Sequence, residues 1–297
     1  MTLSTPTHSA AATPTIGVFD SGVGGLTVLA PLMARYPMAR FVYVADNAYM
    51  PYGDQPPTVL LERLTGLLPW LAQRCDAIAL ACNTAASLLI EHQLLDSWGV
   101  PVVDPVQPVC EFLAQQARAS TSHQPWHVTV LATPKTTQMG VYPRQLASVW
   151  PKQGPSLQVV SVSGRELAGY FEHGHPNPQA YQDLLDSVAE SIKATLTTDS
   201  QQRVILGCTH YPHMRRALAE RLPSTVVMVD PAEAMVAAMP AMLLQQPLAP
   251  VPHSTVLEPV TFYVTGDPQR FQTVAQQCSG LTVVQPYCLR DQQASYF

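Results

Sequence analysis

Charged residues are scarce in this chain of 297 amino acids: Asp, Glu, Lys and Arg together make up 12%, against about 25% in an average soluble domain. The formal net charge is −5, and Lys and Arg form no cluster. Nucleic acid and acidic membrane surfaces, which demand a basic patch, are thereby excluded as main partners. Long apolar runs are missing too, none reaching the ~18 residues of a membrane span. The first fourteen residues, MTLSTPTHSAAATP, have neither the basic start nor the apolar centre of a secretory signal. Residues 1–14 are therefore read as a disordered tail, and the protein as cytoplasmic, where thiols stay reduced. The six cysteines (Cys75, Cys82, Cys110, Cys208, Cys278 and Cys288) are then free thiols. No C-x-x-C pair occurs among them, so no metal site is expected. Lysine is limited to Lys135, Lys152 and Lys193.

Apolar residues are plentiful, at 47%. They fall in short runs alternating with longer stretches in which they recur every three or four positions. Nine runs read as strands, at 15–19, 40–44, 77–81, 100–103, 127–132, 157–162, 203–206, 225–229 and 260–264. Leu60–Gln73 and Tyr181–Leu196 read as helices, and a further helix starts near Leu26. Strand–helix alternation of this kind specifies parallel sheets with crossover helices, the doubly wound α/β class. Nine strands suit two modest sheets better than one. Surface loops are expected at ASTSHQP (119–125), PKQGPS (151–156) and QQPLAPVPHS (245–254).

In open α/β sheets, ligands collect at the carboxyl ends of the strands. Five stretches fall there: FDSGVGG (19–25), YVADNAYMPYGDQP (43–56), LACNTAA (80–86), LATPKTT (131–137) and LGCTHYP (206–212). In the first, Gly22, Gly24 and Gly25 let backbone N–H groups approach an anion at a helix start. Their spacing fits neither G-x-G-x-x-G nor a phosphate-binding P-loop. A carboxylate-bearing small ligand and a plain tight turn fit equally well.

Cys82 and Cys208, 126 residues apart, each sit at a strand end just before a helix. Oriented N–H groups there favour thiolate and lower the thiol pKa from ~8.5 toward neutrality. Asn83, Thr84 and Thr209 add donors suited to an α-carboxylate, and His210 can protonate or orient a group beside Cys208. Cys75, Cys110, Cys278 and Cys288 are read as small core residues. Two thiols facing one pocket suit the removal of a proton from carbon and its return to the opposite face. One must be thiolate while the other stays protonated, and turnover exchanges the two states. A cysteine hydrolase needs only one such thiol. A pyridoxal phosphate racemase needs a Schiff-base lysine. Lys135 is the sole candidate for that role, and it has no evident phosphate cradle.

The stretches IGVFDSGVGGLTVL, PYGD, ACNTAAS, LATPKTTQMGVY and GCTHYP, in that order, resemble the glutamate racemase family of the aspartate/glutamate racemase superfamily. The likeness runs from Ile16 to about Ala234, with a looser echo in VTGDPQRF. It implies cofactor-independent interconversion of L- and D-glutamate, supplying D-glutamate for bacterial peptidoglycan. It also implies two α/β domains with the active site in the cleft between them. Residues 15–105 and 231–297 would form the first domain and 106–230 the second; the expected assembly is a homodimer.

Carried over by motif, Cys82 deprotonates one enantiomer and Cys208 the other. Asp20 assists near Cys82 and the substrate ammonium, and His210 and Glu172 assist Cys208. Asn83, Thr84 and Thr209 hold the α-carboxylate and ammonium. Ser21, Tyr52 and Gly53 take the side-chain carboxylate, with Pro51 on the same turn, and Thr136 lines the middle domain's side. Three features depart from the family pattern: Met139 replaces a common Ser, no Cys-Pro element precedes Glu172, and His213 replaces an apolar residue. The alternatives are an aspartate or other amino-acid racemase of the superfamily and a non-catalytic binding or inhibitory protein on the same fold.

Overall fold

The computed structural model describes residues 13–173, 177–243, 259–279, 283 and 285–289. The loop expected at 245–254 and most of the N-terminal tail lie outside them. The chain opens with β1 (Thr15–Asp20), α1 (Leu26–Arg35), β2 (Arg40–Ala45), α2 (Pro57–Ala72), β3 (Ala77–Leu80), α3 (Asn83–Glu91) and β4 (Val102–Val103). It continues through α4 (Val106–Ala119), β5 (Trp126–Ala132), α5 (Pro134–Met139), α6 (Val141–Val149), β6 (Leu157–Ser163), α7 (Leu167–His173) and α8 (Pro178–Lys193). Then come β7 (Gln201–Gly207), α9 (Arg215–Ala219), β8 (Val227–Val229), α10 (Pro231–Leu243), β9 (Val260–Val264), α11 (Pro268–Ser279) and β10 (Tyr287–Cys288).

Two sheets result, one of six strands ordered β10-β9-β2-β1-β3-β4 and one of four ordered β6-β5-β7-β8. Every pairing is parallel. The expected α/β fold with two doubly wound parallel sheets is what the chain adopts. The first sheet draws its strands from both ends of the chain and the second from the middle.

β1, β3 and β5 are buried at every position, as strands covered on both faces must be. Because successive side chains alternate between faces, Ile16 and Val18 pack with Leu29 and Leu32 of α1 and Met235 of α10. Phe19 goes to the other side, with Leu64 and Leu67 of α2. In the second sheet, Val128 and Val130 meet Leu113 of α4 and Leu146 of α6. Leu131 and Val204 meet Leu185 and Ile192 of α8. Truncating any of these leucines to alanine costs about 2–5 kcal/mol. Cys110 is a fully buried core residue, and Cys75 packs half-buried beside the α2 layer. Met139 packs in the two apolar clusters it lies between.

Boundaries differ where pairing rather than composition decides. β4 and β8 are shorter than their apolar runs because only Val102–Val103 and Val227–Val229 have ladder partners. β10 was not expected; two residues carry no periodic signal. Among the described residues, no helix is long and apolar enough to cross a membrane.

Candidate active site

The strands of the two sheets aim their carboxyl ends at one small cavity. From the first sheet's loops come Ser21, Pro51, Tyr52, Gly53, Cys82, Asn83 and Thr84; the second sheet's side adds Thr133, Ala168, Cys208, Thr209 and His210. The cavity volume is about 20 Å³, room for little more than one water. An amino acid needs more room than this.

Cys82 ends the β3 segment at the first turn of α3, with its Sγ 3.8 Å from Ser21 Oγ. The helix start was expected to favour thiolate. Burial outweighs it, and the nearby Asp20 charge adds to burial, pushing the Cys82 thiol well above its ordinary range. Cys82 is therefore the protonated partner.

Cys208 has a different setting. Its Sγ lies 3.6 Å from His210 Nδ1, and His210 Nε2 lies 2.8 Å from Glu172 Oε1. Burial opposes charge on the imidazole, but the hydrogen bonds to Cys208 and Glu172 prevail and raise the His210 pKa well above normal. A protonated His210 donates to both neighbours, leaving the Cys208 sulfur as acceptor. Phe171 packs beside His210 on one side and stacks on His213 on the other. Burial lowers the His213 pKa.

The glycine loop does hold a carboxylate, but one belonging to the chain itself. Val23 N–H donates to Glu172 Oε1 at 2.9 Å, across the boundary between the sheets. A Cβ on Gly22 would lie 1.8 Å from that oxygen, and one on Gly24 2.3 Å from Thr209 Oγ1. Glycine is required here for close approach of the two halves. Asp20, fully buried, accepts from Gly22 N–H at 3.0 Å and from the Thr209 hydroxyl at 3.1 Å. Burial pushes its pKa up to about 6, with the His210 charge opposing.

On the opposite wall, Tyr142 donates its hydroxyl to Asn83 Oδ1 at 2.5 Å, leaving Asn83 its amide N–H2 to offer. Thr84, Thr133 and Thr136 form a hydroxyl triangle with separations of 3.0–3.2 Å. Thr136 was expected on the wall. Thr133 occupies that place, because it caps α5 and its Oγ1 accepts the Thr136 N–H. Asp20, Thr136 and Glu172 stand behind the lining residues rather than among them. Tyr52 was expected, with Ser21 and Gly53, at the side-chain carboxylate; its hydroxyl is committed to Asp46 Oδ2 at 2.6 Å. What Tyr52 and Gly53 present instead is the start of the Tyr52–Asp54 turn.

A model of the Asp/Glu/Hydantoin racemase family matches residues 40–239. The chain belongs to this family. Within it, a glutamate racemase from Desulforudis audaxviator is 32% identical over 279 residues, spanning 90% of this chain and 94% of that one. Among solved structures, glutamate racemase isoform RacE1 from Bacillus anthracis superposes with a TM-score of 0.75 at 25% identity, over 95% of this chain and 98% of that one. Glutamate racemase from Thermus thermophilus, in complex with β-chloro-D-alanine, gives 0.72 at 28% identity, with coverage of 95% and 98%. In this member of the Asp/Glu/hydantoin racemase family, the cavity brings together two thiols and hydrogen-bonding groups from both sheets.

Proposed function

We propose that this protein interconverts L- and D-glutamate by two-base proton exchange at the α-carbon, the reaction that supplies D-glutamate for peptidoglycan in its relatives. One observation carries the reading: different sheets bring Cys82 and Cys208 to a single cavity, the first beside Ser21 and the second beside His210. One thiol takes the α-proton as the electron pair moves toward the α-carboxylate, and the other delivers its proton to the far face. Asn83, Thr84 and Thr209 stabilise the charge that builds on that carboxylate. Asp20, whose pKa is raised to about 6, and the His210–Glu172 pair relay the protons that reset the site between turnovers, removing one from the thiol just protonated and returning one to the thiolate just formed. The Thermus relative's ligand is itself an α-amino acid, which supports an amino-acid substrate.

Domain limits at 105/106 and 230/231 are part of the same reading, with opening along that seam admitting substrate. Circular dichroism of the purified protein with L- or D-glutamate tests it, with aspartate as control. Signal decay from both glutamate enantiomers is expected, and it should survive dialysis against chelator and a carbonyl reagent. Decay with aspartate alone would favour the aspartate reading. Restoration of lost activity by pyridoxal phosphate or a divalent metal would overturn the mechanism.

A further inference from the structure

Asp46, the residue immediately after β2, is completely buried and lines no part of the cavity. Its carboxylate nevertheless accepts four hydrogen bonds: from the Tyr52 hydroxyl at 2.6 Å, the Thr265 hydroxyl at 2.6 Å, and Arg63 Nε and Nη2 at 3.1 and 2.9 Å. Those donors come from the Tyr52–Asp54 turn, the residue following β9, and α2. The Asp46 backbone N–H donates to Asp20 O at 3.0 Å, so the same residue is tied to the loop bearing Asp20. Thr265 Oγ1 also accepts the Ala48 N–H at 3.2 Å. Both oxygens of this buried carboxylate are thereby satisfied.

The arrangement does more than balance one charge. The Tyr52 ring, itself buried, packs at a tilt against Phe19 and is held at its far end by Asp46. Burial first, then Asp46, raises the Tyr52 pKa well above normal, so the hydroxyl stays a donor. With both ends of the ring fixed, the height of the turn above the cavity floor is fixed as well. That turn carries Tyr52 and Gly53, the groups assigned to the substrate's distal carboxylate.

We infer that Asp46 is a positioning residue that sets the Tyr52–Gly53 turn at the distance of a glutamate side-chain carboxylate and so selects substrate length. The inference rests on the glutamate reading above. Asp46 never touches substrate; it acts through Tyr52, with Thr265 and Arg63 holding it in place.

The test uses full-length Tyr52→Phe, Thr265→Val, Thr265→Ser and Asp46→Asn, with kcat and KM measured for both glutamate enantiomers and for aspartate. Tyr52→Phe and Thr265→Val each delete one hydroxyl while keeping side-chain shape, so the measurement does not depend on Asp46→Asn folding. Each should raise KM for glutamate about tenfold with kcat within about twofold of wild type, because binding rather than chemistry is loosened. The preference for glutamate over aspartate should fall by a similar factor. Thr265→Ser, which restores the hydroxyl, should return both values to near wild type. Unchanged KM and preference in Tyr52→Phe and Thr265→Val would overturn the inference. A fall in kcat alone that tracks a falling melting temperature would do the same, since a merely structural role predicts that pattern. Failure of the wild-type enzyme to racemise glutamate would remove the functional reading first, and is seen before any variant is made.

Discussion

Replacing Asp20 with asparagine should make the protein more stable and less active, and the gain in stability should depend on pH. The folded-state pKa of Asp20 is about 6, above its ordinary 3.8, so the native state holds this proton more tightly than the unfolded chain does. The cost of ionising it is absent below about pH 4, grows as pH rises, and is complete above about pH 6. At pH 8 that cost is about 3 kcal/mol. Asparagine cannot ionise and keeps an acceptor for the Gly22 N–H, but it weakens the bond from Thr209, returning about 1 kcal/mol. Asp20→Asn should therefore exceed wild type by about 2 kcal/mol at pH 8 and show no advantage at pH 4. Racemisation should fall about 100-fold or more, the usual scale for losing an acid–base group. Denaturant unfolding of both proteins across this pH range, with activity measured at pH 8, checks the pair of outcomes. A stability difference that ignores pH, or full activity in the variant, would show that burial does not perturb Asp20 or that it moves no proton.

Three further outcomes follow from the same geometry. Gly22→Ala should cut kcat sharply, because its Cβ would occupy the position of Glu172 Oε1; wild-type kinetics in that variant would mean that the closed arrangement is not the reacting one. Glu172→Gln removes a carboxylate that raises the His210 pKa, so the high-pH limb of kcat/KM should move to lower pH, and an unshifted profile would exclude the pairing. If the cavity of about 20 Å³ opens along the proposed seam and recloses on substrate, glutamate should slow amide exchange at 22–25 and 51–54, whereas identical exchange with and without glutamate would indicate a static cleft.

Much of this site was legible in the chain because chemistry-bearing residues sit at the ends of short apolar runs, where a doubly wound sheet must place its ligands. Cys82, Asn83, Cys208 and Thr209 needed no more than that. Thr133 carries a local signal too, since Thr followed by Pro134 reads as a helix cap and first helical residue. Asp46 offered none: its side-chain donors lie 6, 17 and 219 positions away, and no local pattern marks such a partner. The elevated Cys82 thiol was also hidden, because the helix start is visible in sequence while the depth of burial is not. Glycines that looked like an anion cradle turned out to receive Glu172, 149 residues distant from Val23, a contact created only by the meeting of the two sheets.

The opposed-thiol claim is tested most directly by following loss of the α-proton of L- and D-glutamate in deuterium oxide by NMR, using Cys82→Ser and Cys208→Ser. Each variant retains one base, which can remove a proton from one face and return deuterium only to that face. Neither should racemise. Each should exchange a single enantiomer, and the two variants should choose opposite ones, while Cys75→Ser behaves as wild type. Racemisation by either active-site variant at the wild-type rate, or exchange of the same enantiomer by both, would contradict the account.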